Sequence, residues 1–564
     1  MPNFFGCISD GIIKAETNND IYTLSSKMVF TPSAGTHLLL YKGSGRAETA
    51  SDNHAEKFSY ENGGAEVTII EMNPESDSGG RDVPFASIKS VSLSAVESIL
   101  YGKMANPLGS ANCPIISNEK MFAWDASHQY AESNDQSQQA DSSTYTDKTT
   151  LTFTPASTQN YLLIWTAEIS NSSASYDCLV QFDIDGATAA QGNFEPNNGG
   201  DFYPVSGIKV ISLDTNSHTF KIKFKTENNA GTAAIQNARI VAIPIGSYSI
   251  ESDEGADAAP GASFANMAEV TFTPTAGWHL IIASAEFPVA SSGRINVDGT
   301  VYDLIESITP PDVSNYTNVL SLAIVNLAAT SQTIAYQGLT SSTVRKPRIA
   351  VIDINGDISQ ITRNFKQSIN ASDNDGHLNT TDGNIEISAA DIHAGKGGTG
   401  SGDINHMLLR YTDVTIPKDT DILEAYVWNI NDAVVSIISL VLRVYGIDED
   451  NTAAFSTYAD ANGRALTTAY ADWTSFTSLT INVPNITPDI SAVIEEITSR
   501  ESWASGNALG IEIRDNGSGD DDYLQFEDFV SDPNEVGHIF IRWNETVSEP
   551  GPSQNSNFFM FFRP

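Results

Sequence analysis

Cysteine, basic residues and long apolar runs are all scarce in this chain of 564 residues. The three cysteines, Cys7, Cys113 and Cys178, are odd in number and far apart, and no CxxC pair occurs. That argues against a zinc ribbon, a redox motif and a disulfide framework. Lys and Arg total 30 against 70 Asp and Glu, a net charge of −40. The acid is spread along the whole chain. It repels nucleic-acid phosphates and anionic lipid, so neither is an expected partner. No run approaches the ~20 apolar residues of a membrane-spanning helix, and no membrane insertion is expected. The first residues, MPNFFGCISDGIIKAETNND, show neither a basic n-region nor an apolar h-region. They do not read as a secretory signal, and the product is expected to be made and kept in a cytoplasm.

Catalytic signatures are missing too. The nine histidines form no HExxH or HxH spacing, and there is no GxSxG elbow, Walker loop or GxGxxG after a strand. The Gly-rich stretch AGKGGTGSGD from Ala394 lacks phosphate-loop spacing and reads as a flexible loop. The chain is not expected to be an enzyme.

What the sequence does contain is a long repeat. MVFTPSAGTHLLLYKGSG begins at Met28, LTFTPASTQNYLLIWTAEIS at Leu151, and VTFTPTAGWHLIIASAEF at Val270. Each reads as a strand, a tight turn and a second strand. The aligned residues Phe30, Phe153 and Phe272 are spaced by 123 and 119. That period exceeds solenoid and propeller units, so each copy is long enough to be a small domain. In register behind it come Asp-Gly turns (VQFDIDG, RINVDG), whose glycine accepts positive φ at no steric cost. Each unit closes on a basic residue and an apolar strand, at Lys120, Arg239 and Arg348. Short strands rich in Thr, Val, Ile, Tyr and Phe, punctuated by Gly, Asn, Asp and Ser, predict an all-β chain of tandem antiparallel β-sandwich, jelly-roll-like domains.

The expected division is an N-terminal arm (1–20), three sandwiches (21–135, 136–252, 253–360), a C-terminal jelly roll (361–546) and a Phe-rich tail (547–564). The C-terminal domain carries the one expected helix, in TPDISAVIEEITSRESW. Thr487 is its candidate N-cap, Pro488 its first position, and Ile490, Val493, Ile494 and Ile497 its apolar stripe.

Candidate site residues are few. Asp373, Asp375 and Asp382 cluster in SDNDGHLNTTDG and are candidate ligands for calcium, a hard cation that wants several oxygens. Asp520, Asp521 and Asp522 form a second acidic cluster. Trp428, Trp473 and Trp503 are candidates for a sugar platform; Trp503, after the helix, is better suited to core packing, and Trp473 is the least clearly structural of the three. The tail residues Phe558, Phe559, Phe561 and Phe562 need somewhere to dock, in cis or in a neighbouring subunit.

The order LRYTDVTIPKDTDILEAYVWNI, LRVYGIDEDN, helix, WASGNALGIEIRD resembles jelly-roll domains related to DNRLRE and carbohydrate-binding modules. It covers roughly residues 370–545, with Ile416-Pro417 and the late Trp503, Gly506 and Asn507 as its marks. The repeats are similar to β-sandwich modules of tailed-phage virion and appendage proteins. These resemblances imply a structural protein of a virion, as fibre, spike or decoration. They imply other virion proteins and a host-surface glycan as partners, and a homotrimer as the assembly. The alternatives are a bacterial extracellular glycan-binding adhesin and a glycan-degrading enzyme with accessory sandwiches.

Overall fold

A computed structural model describes residues 3–14, 23–46, 55–72, 83–105, 115–194, 199–245, 250–254, 257, 259–288, 291–308, 316–387, 391–398, 400–433, 437–476, 484–530 and 536–545. Cys113, the Phe-rich tail and its four phenylalanines lie outside the described residues.

The first module is built from β1 (Phe4–Lys14), β2 (Thr23–Phe30), β3 (Gly35–Arg46), β4 (Ala55–Asn62), β5 (Val67–Met72), β6 (Val83–Leu93), β7 (Ser98–Ala105) and β8 (Ile115–Trp124). One sheet runs β1-β8-β3-β6 and the facing sheet β2-β7-β4-β5. Eight antiparallel strands in these two orders make a jelly roll. The second and third modules repeat the pattern. In the third, Ile250–Glu254, Arg345–Asp353, Gly277–Phe287 and Thr317–Leu327 form one sheet, and Gly261–Phe272, Gln332–Thr340, Ser291–Val297 and Thr300–Ile308 the other. The chain is all-β, as its strand signals predict.

The repeated Phe-Thr-Pro stretch is not a hairpin. Its two strands lie in different sheets: β2 pairs β7, whereas β3 pairs β6 and β8. The Thr-Pro-x-x segment carries the chain across the sandwich, and proline marks where ladder pairing stops. The Asp-Gly turns do close hairpins. Asp185 and Gly186 have φ of 50° and 84°, and Asp298 and Gly299 47° and 92°. Two successive positive φ values match the twist of the flanking strands.

The strand after Phe-Thr-Pro is apolar on both faces, and the packing explains why. In β3, Leu39 and Tyr41 point into the module's own core, while Leu38 and Leu40 enter a second core shared by all three modules. The counterparts divide the same way: Leu163 and Trp165 against Leu162 and Ile164, then Ile281 and Ala283 against Leu280 and Ile282. A continuous apolar run is what a strand buried on both sides requires. Strands of the outward sheets alternate instead, as in Thr146–Phe153. The modules are therefore clustered about a common centre and do not form the extended string that tandem repeats suggest.

The N-terminal stretch is not an arm. β1 pairs antiparallel with β8 and parallel with Ile358–Ser368, the first strand of the C-terminal domain. That strand pairs with His538–Glu545, which pairs with Ile422–Ile430. One eight-stranded sheet thus runs from the first module into the C-terminal domain. The domain's second sheet is built on Asp375–Asn379, Ile404–Val414, Asn507–Asp515, Leu442–Ile447 and Leu466–Trp473.

Among the described residues there are two helices where one was expected, α1 (Tyr458–Asn462) and α2 (Ser491–Thr498). α1 is a single turn capped by Thr457, too short to show periodicity in the sequence. α2 buries Val493, Ile494 and Ile497 as its stripe predicts, but it starts later than Thr487 and Pro488 suggest. Thr487 Oγ1 instead accepts from Val427 N (3.0 Å), and Asp489 Oδ1 accepts from Ser491 N (3.0 Å). Thr487 and Asp489 both dock the helix start on the neighbouring strand, Asp489 through Ala425 N, and the N-cap position itself is Ile490, which makes no side-chain cap bond.

Candidate functional site

The closing basic residues of the three repeats have one shared geometry. Two positions before each lies a non-glycine residue with left-handed backbone: Asn118 (φ 53°), Asn237 (49°) and Lys346 (46°). Each marks a bulge, where the register slips against β3 or its counterpart. A bulge re-aims the side chains beside it. Here it turns the basic side chain out of its own module and into the next.

Arg239 of the second module donates from Nη1 to Ser87 Oγ (2.7 Å) and from Nη2 to Ile69 O (3.1 Å) of the first. Arg348 of the third donates to Ile208 O (3.1 Å) and Ala189 O (2.7 Å) of the second. Lys120 of the first donates to Asp303 Oδ1 (2.9 Å) of the third. The contacts close a ring: first to third, third to second, second to first. Ile69 and Ala189 are themselves the unpaired residues of matching hairpin bulges, so the acceptors repeat as well as the donors.

The seam between the first and third modules departs from this pattern. Asp303 receives both Lys42 Nζ (2.8 Å) and Lys120 Nζ (2.9 Å), and its Oδ2 accepts from Leu322 N (3.1 Å). Its side chain is fully buried, as is that of Lys42. Burial by itself favours the neutral acid, but the charges of Lys120 and Lys42 outweigh it and hold the carboxyl below its ordinary range. Beside this cluster is a cavity of about 300 Å³, lined by Ser9, Asn118, Lys120, Tyr302, Asp303 and Arg363 among others.

A second buried cluster joins the first module to the C-terminal domain. Lys366 is paired with Glu119, whose Oε1 also accepts from Tyr41 OH, Ser25 Oγ (2.6 Å) and Ser26 Oγ (3.0 Å). Nearby Glu56 is pushed well above the usual carboxylate range by burial and then by the Glu119 charge. Lys27 and Arg542, from the two sides of the boundary, both reach Glu424.

The residues singled out in the sequence take other places. Asp373 is exposed, and its backbone carbonyl accepts from Phe455 N (3.2 Å). Asp375 is buried, accepts from Phe529 N (2.9 Å), and has its pKa raised to about 7 by burial and by Asp528. Asp382 is exposed in a turn whose amide donates to Asn379 Oδ1 (3.0 Å). The three do not converge, and among the described residues no group of His, Cys, Asp or Glu is placed to hold a metal ion.

Trp473 is no surface platform: it is fully buried, its ring tilted against Phe476 (5.2 Å), with Nε1 donating to Ser475 O (3.0 Å). The indole ring gains more from the C-terminal core than from solvent. Trp503 is buried with Nε1 on Ile416 O (3.0 Å), and Trp428 stacks on His538 (4.9 Å). Of the second acidic cluster, Asp522 accepts from Ile438 N and Ser439 N, and so ties down a loop.

One arrangement has no signal in the sequence. His377 and His393 meet edge to face at 5.0 Å, on strands Asp375–Asn379 and Asp391–Lys396. Neither ring nitrogen of His377 has a hydrogen-bond partner, and Nε2 lies 4.0 Å from Glu386 Oε2. Burial lowers its pKa to about 3, and His393 adds to the effect.

No protein-family model and no curated protein matches the chain. Among solved structures, the insecticidal delta-endotoxin Cry8Ea1 from Bacillus thuringiensis aligns at 13% identity and a TM-score of 0.16, over 41% of this chain and 54% of its own. The chain therefore spans about half the length of that protein. A triple jelly roll of an archaeal virus turret assembly aligns at 9% identity and a TM-score of 0.16, over 63% of this chain and 92% of its own. A CBM22 tandem from Paenibacillus barcinonensis Xyn10C aligns at 8% and 0.13, over 42% and 93%. At such scores these likenesses carry no functional argument. The assignment of jelly rolls rests on the strand orders of the chain itself.

Proposed function

We propose that this chain is a non-enzymatic structural protein of a tailed-phage virion, a rigid element displayed as fibre, spike or decoration and assembled with other virion proteins. The observation that carries the reading is the ring of buried basic side chains fastening the three jelly rolls. Independent binding modules on a secreted enzyme need only linkers between them. These modules instead bury charged groups in one another, an expensive arrangement that fixes their relative positions. Rigidity of that kind suits a particle component that bears load. Three modules about one centre also give a single chain the approximate symmetry of a trimer, which favours placement at a site of three-fold character. Proteomics and imaging of purified particles test the proposal. The chain is expected in washed virions at a fixed copy number, and its absence from them overturns the reading.

A further inference from the structure

We propose that Lys366 and Glu119 condense into an intramolecular isopeptide bond, a covalent tie between the first module and the C-terminal domain. The proposal does not depend on the particle reading above.

The two reacting groups are already in contact. Lys366, on Ile358–Ser368, meets Glu119 Oε2, on β8, across the intervening β1, and both side chains are fully buried. A pair shut off from water has lost the hydration that keeps an ammonium and a carboxylate apart in solution. Holding amine and carboxyl together also turns an encounter into a reaction within one molecule, which raises its rate by many orders of magnitude.

The surroundings supply more than an ion pair needs. The other carboxyl oxygen, Glu119 Oε1, accepts from three hydroxyls: Ser25 Oγ (2.6 Å), Ser26 Oγ (3.0 Å) and Tyr41 OH. Two consecutive serines reach one atom because Ser25 sits in a bulge of β2, between the paired Leu24 and Ser26. Gly102 faces the same spot. A Cβ there would lie 2.7 Å from both Glu119 Oε1 and Tyr41 OH, and nearer still to Ser26 Oγ, so glycine leaves room for the hydroxyls to converge. Three donors aimed at one carboxyl oxygen form an oxyanion hole. Burial and the Glu119 charge hold the neighbouring Glu56 above the usual carboxylate range, and a neutral acid does not oppose negative charge gathering on Oε1.

The step balances within the pair. The ammonium passes one proton to Oε2, and the resulting amine attacks Glu119 Cδ. The N–C bond forms while negative charge collects on Oε1 under the three hydroxyls. Oε2 then departs as water with a second proton from the nitrogen, and the carbonyl is restored at Oε1. One ammonium and one carboxylate become one amide and one water, with no oxidant and no outside proton donor. The bond closes a loop between residues 247 apart and joins the strands that flank β1, a clasp over the first strand of the chain.

Tandem mass spectrometry of a protease digest of the purified, folded full chain tests the proposal. The peptides holding Glu119 and Lys366 are expected as one branched species, lighter than their sum by one water. The intact chain is expected to run ahead of Lys366→Met on a reducing, denaturing gel, because that variant has no amine to form the loop. Recovery of the two peptides separate and unmodified from the folded chain overturns the proposal, and so does a water loss that maps to other residues. The digest of the unaltered chain decides even where Lys366→Met does not fold.

Discussion

Lys120 Nζ lies 2.9 Å from Asp303 Oδ1 across a module boundary, although 183 residues separate them in the chain. Removing Asp303 takes from two buried ammonium groups the carboxylate they share. Asp303→Ala is expected to cost about 3–5 kcal/mol. The triple change Lys42→Met, Lys120→Met, Asp303→Leu is expected to recover most of that loss, because it removes the charges together with their desolvation cost. Urea unfolding of the three proteins checks the order.

Arg239 tests a neighbouring seam. It is 1% exposed, and its fork holds Ser87 and Ile69 of another module. Arg239→Met strands two buried acceptors and is expected to cost about 2–3 kcal/mol. Arg239→Lys keeps the charge but not the fork, and should fall between. Hydrogen exchange should show protection lost in both β5 and Ala233–Pro244. Loss confined to Ala233–Pro244 would mean the contact does not couple the modules.

The pairing of β1 on both edges gives a third outcome. A variant lacking residues 1–14 exposes the edges of β8 and Ile358–Ser368, which are templates for aggregation. It is expected to be insoluble or to form high-mass species on a sizing column. A dispensable arm would leave a monodisperse protein.

The pH dependence has two opposed parts. Asp375 has a folded pKa of about 7, above its unfolded value. The folded state therefore holds the proton more tightly, and stability falls as pH rises from about 4 to 7, by up to about 4 kcal/mol. His377 has a folded pKa of about 3, below its unfolded value. The unfolded chain binds the proton first, and stability falls as pH drops from about 6.5 to 3. In thermal scans, Asp375→Asn should flatten the neutral side of the profile and His377→Leu the acid side. Parallel shifts at all pH values would count against both assignments.

Trp473→Ala should open a cavity in the C-terminal core and cost about 3–5 kcal/mol. An exposed sugar platform at that position would instead lose ligand with its stability intact, and chemical denaturation separates the two.

The sequence carried the fold class, the repeat and the Asp-Gly hairpins, because each depends on local chemistry. It also displayed the three equivalent positions Lys120, Arg239 and Arg348 without revealing their purpose. Their acceptors, Asp303, Ile69 and Ala189, lie in other repeats, and no local pattern links them. The doubly apolar strands at Leu38, Leu162 and Leu280 were a readable sign of a second core. A strand needs so many apolar neighbours only when both its faces are covered. The hairpin reading of Phe-Thr-Pro failed because a short turn looks the same whether it returns to one sheet or crosses to the next. Asp373, Asp375 and Asp382 are close in the chain but divided between surface and core, and Trp473 is buried; nearness along the chain reveals neither.

β1 also sets a timetable for synthesis. Phe4 is made first, but its parallel partner Ile358 emerges only after some 350 further residues. At about 5–20 residues per second, the ribosome takes roughly 20–70 seconds to supply it. Throughout that interval the first jelly roll carries an open strand edge beside every other nascent copy on the same message. Chaperone demand, and any tendency of neighbouring copies to trade first strands, should therefore concentrate in that window of translation and vanish once the sheet is joined.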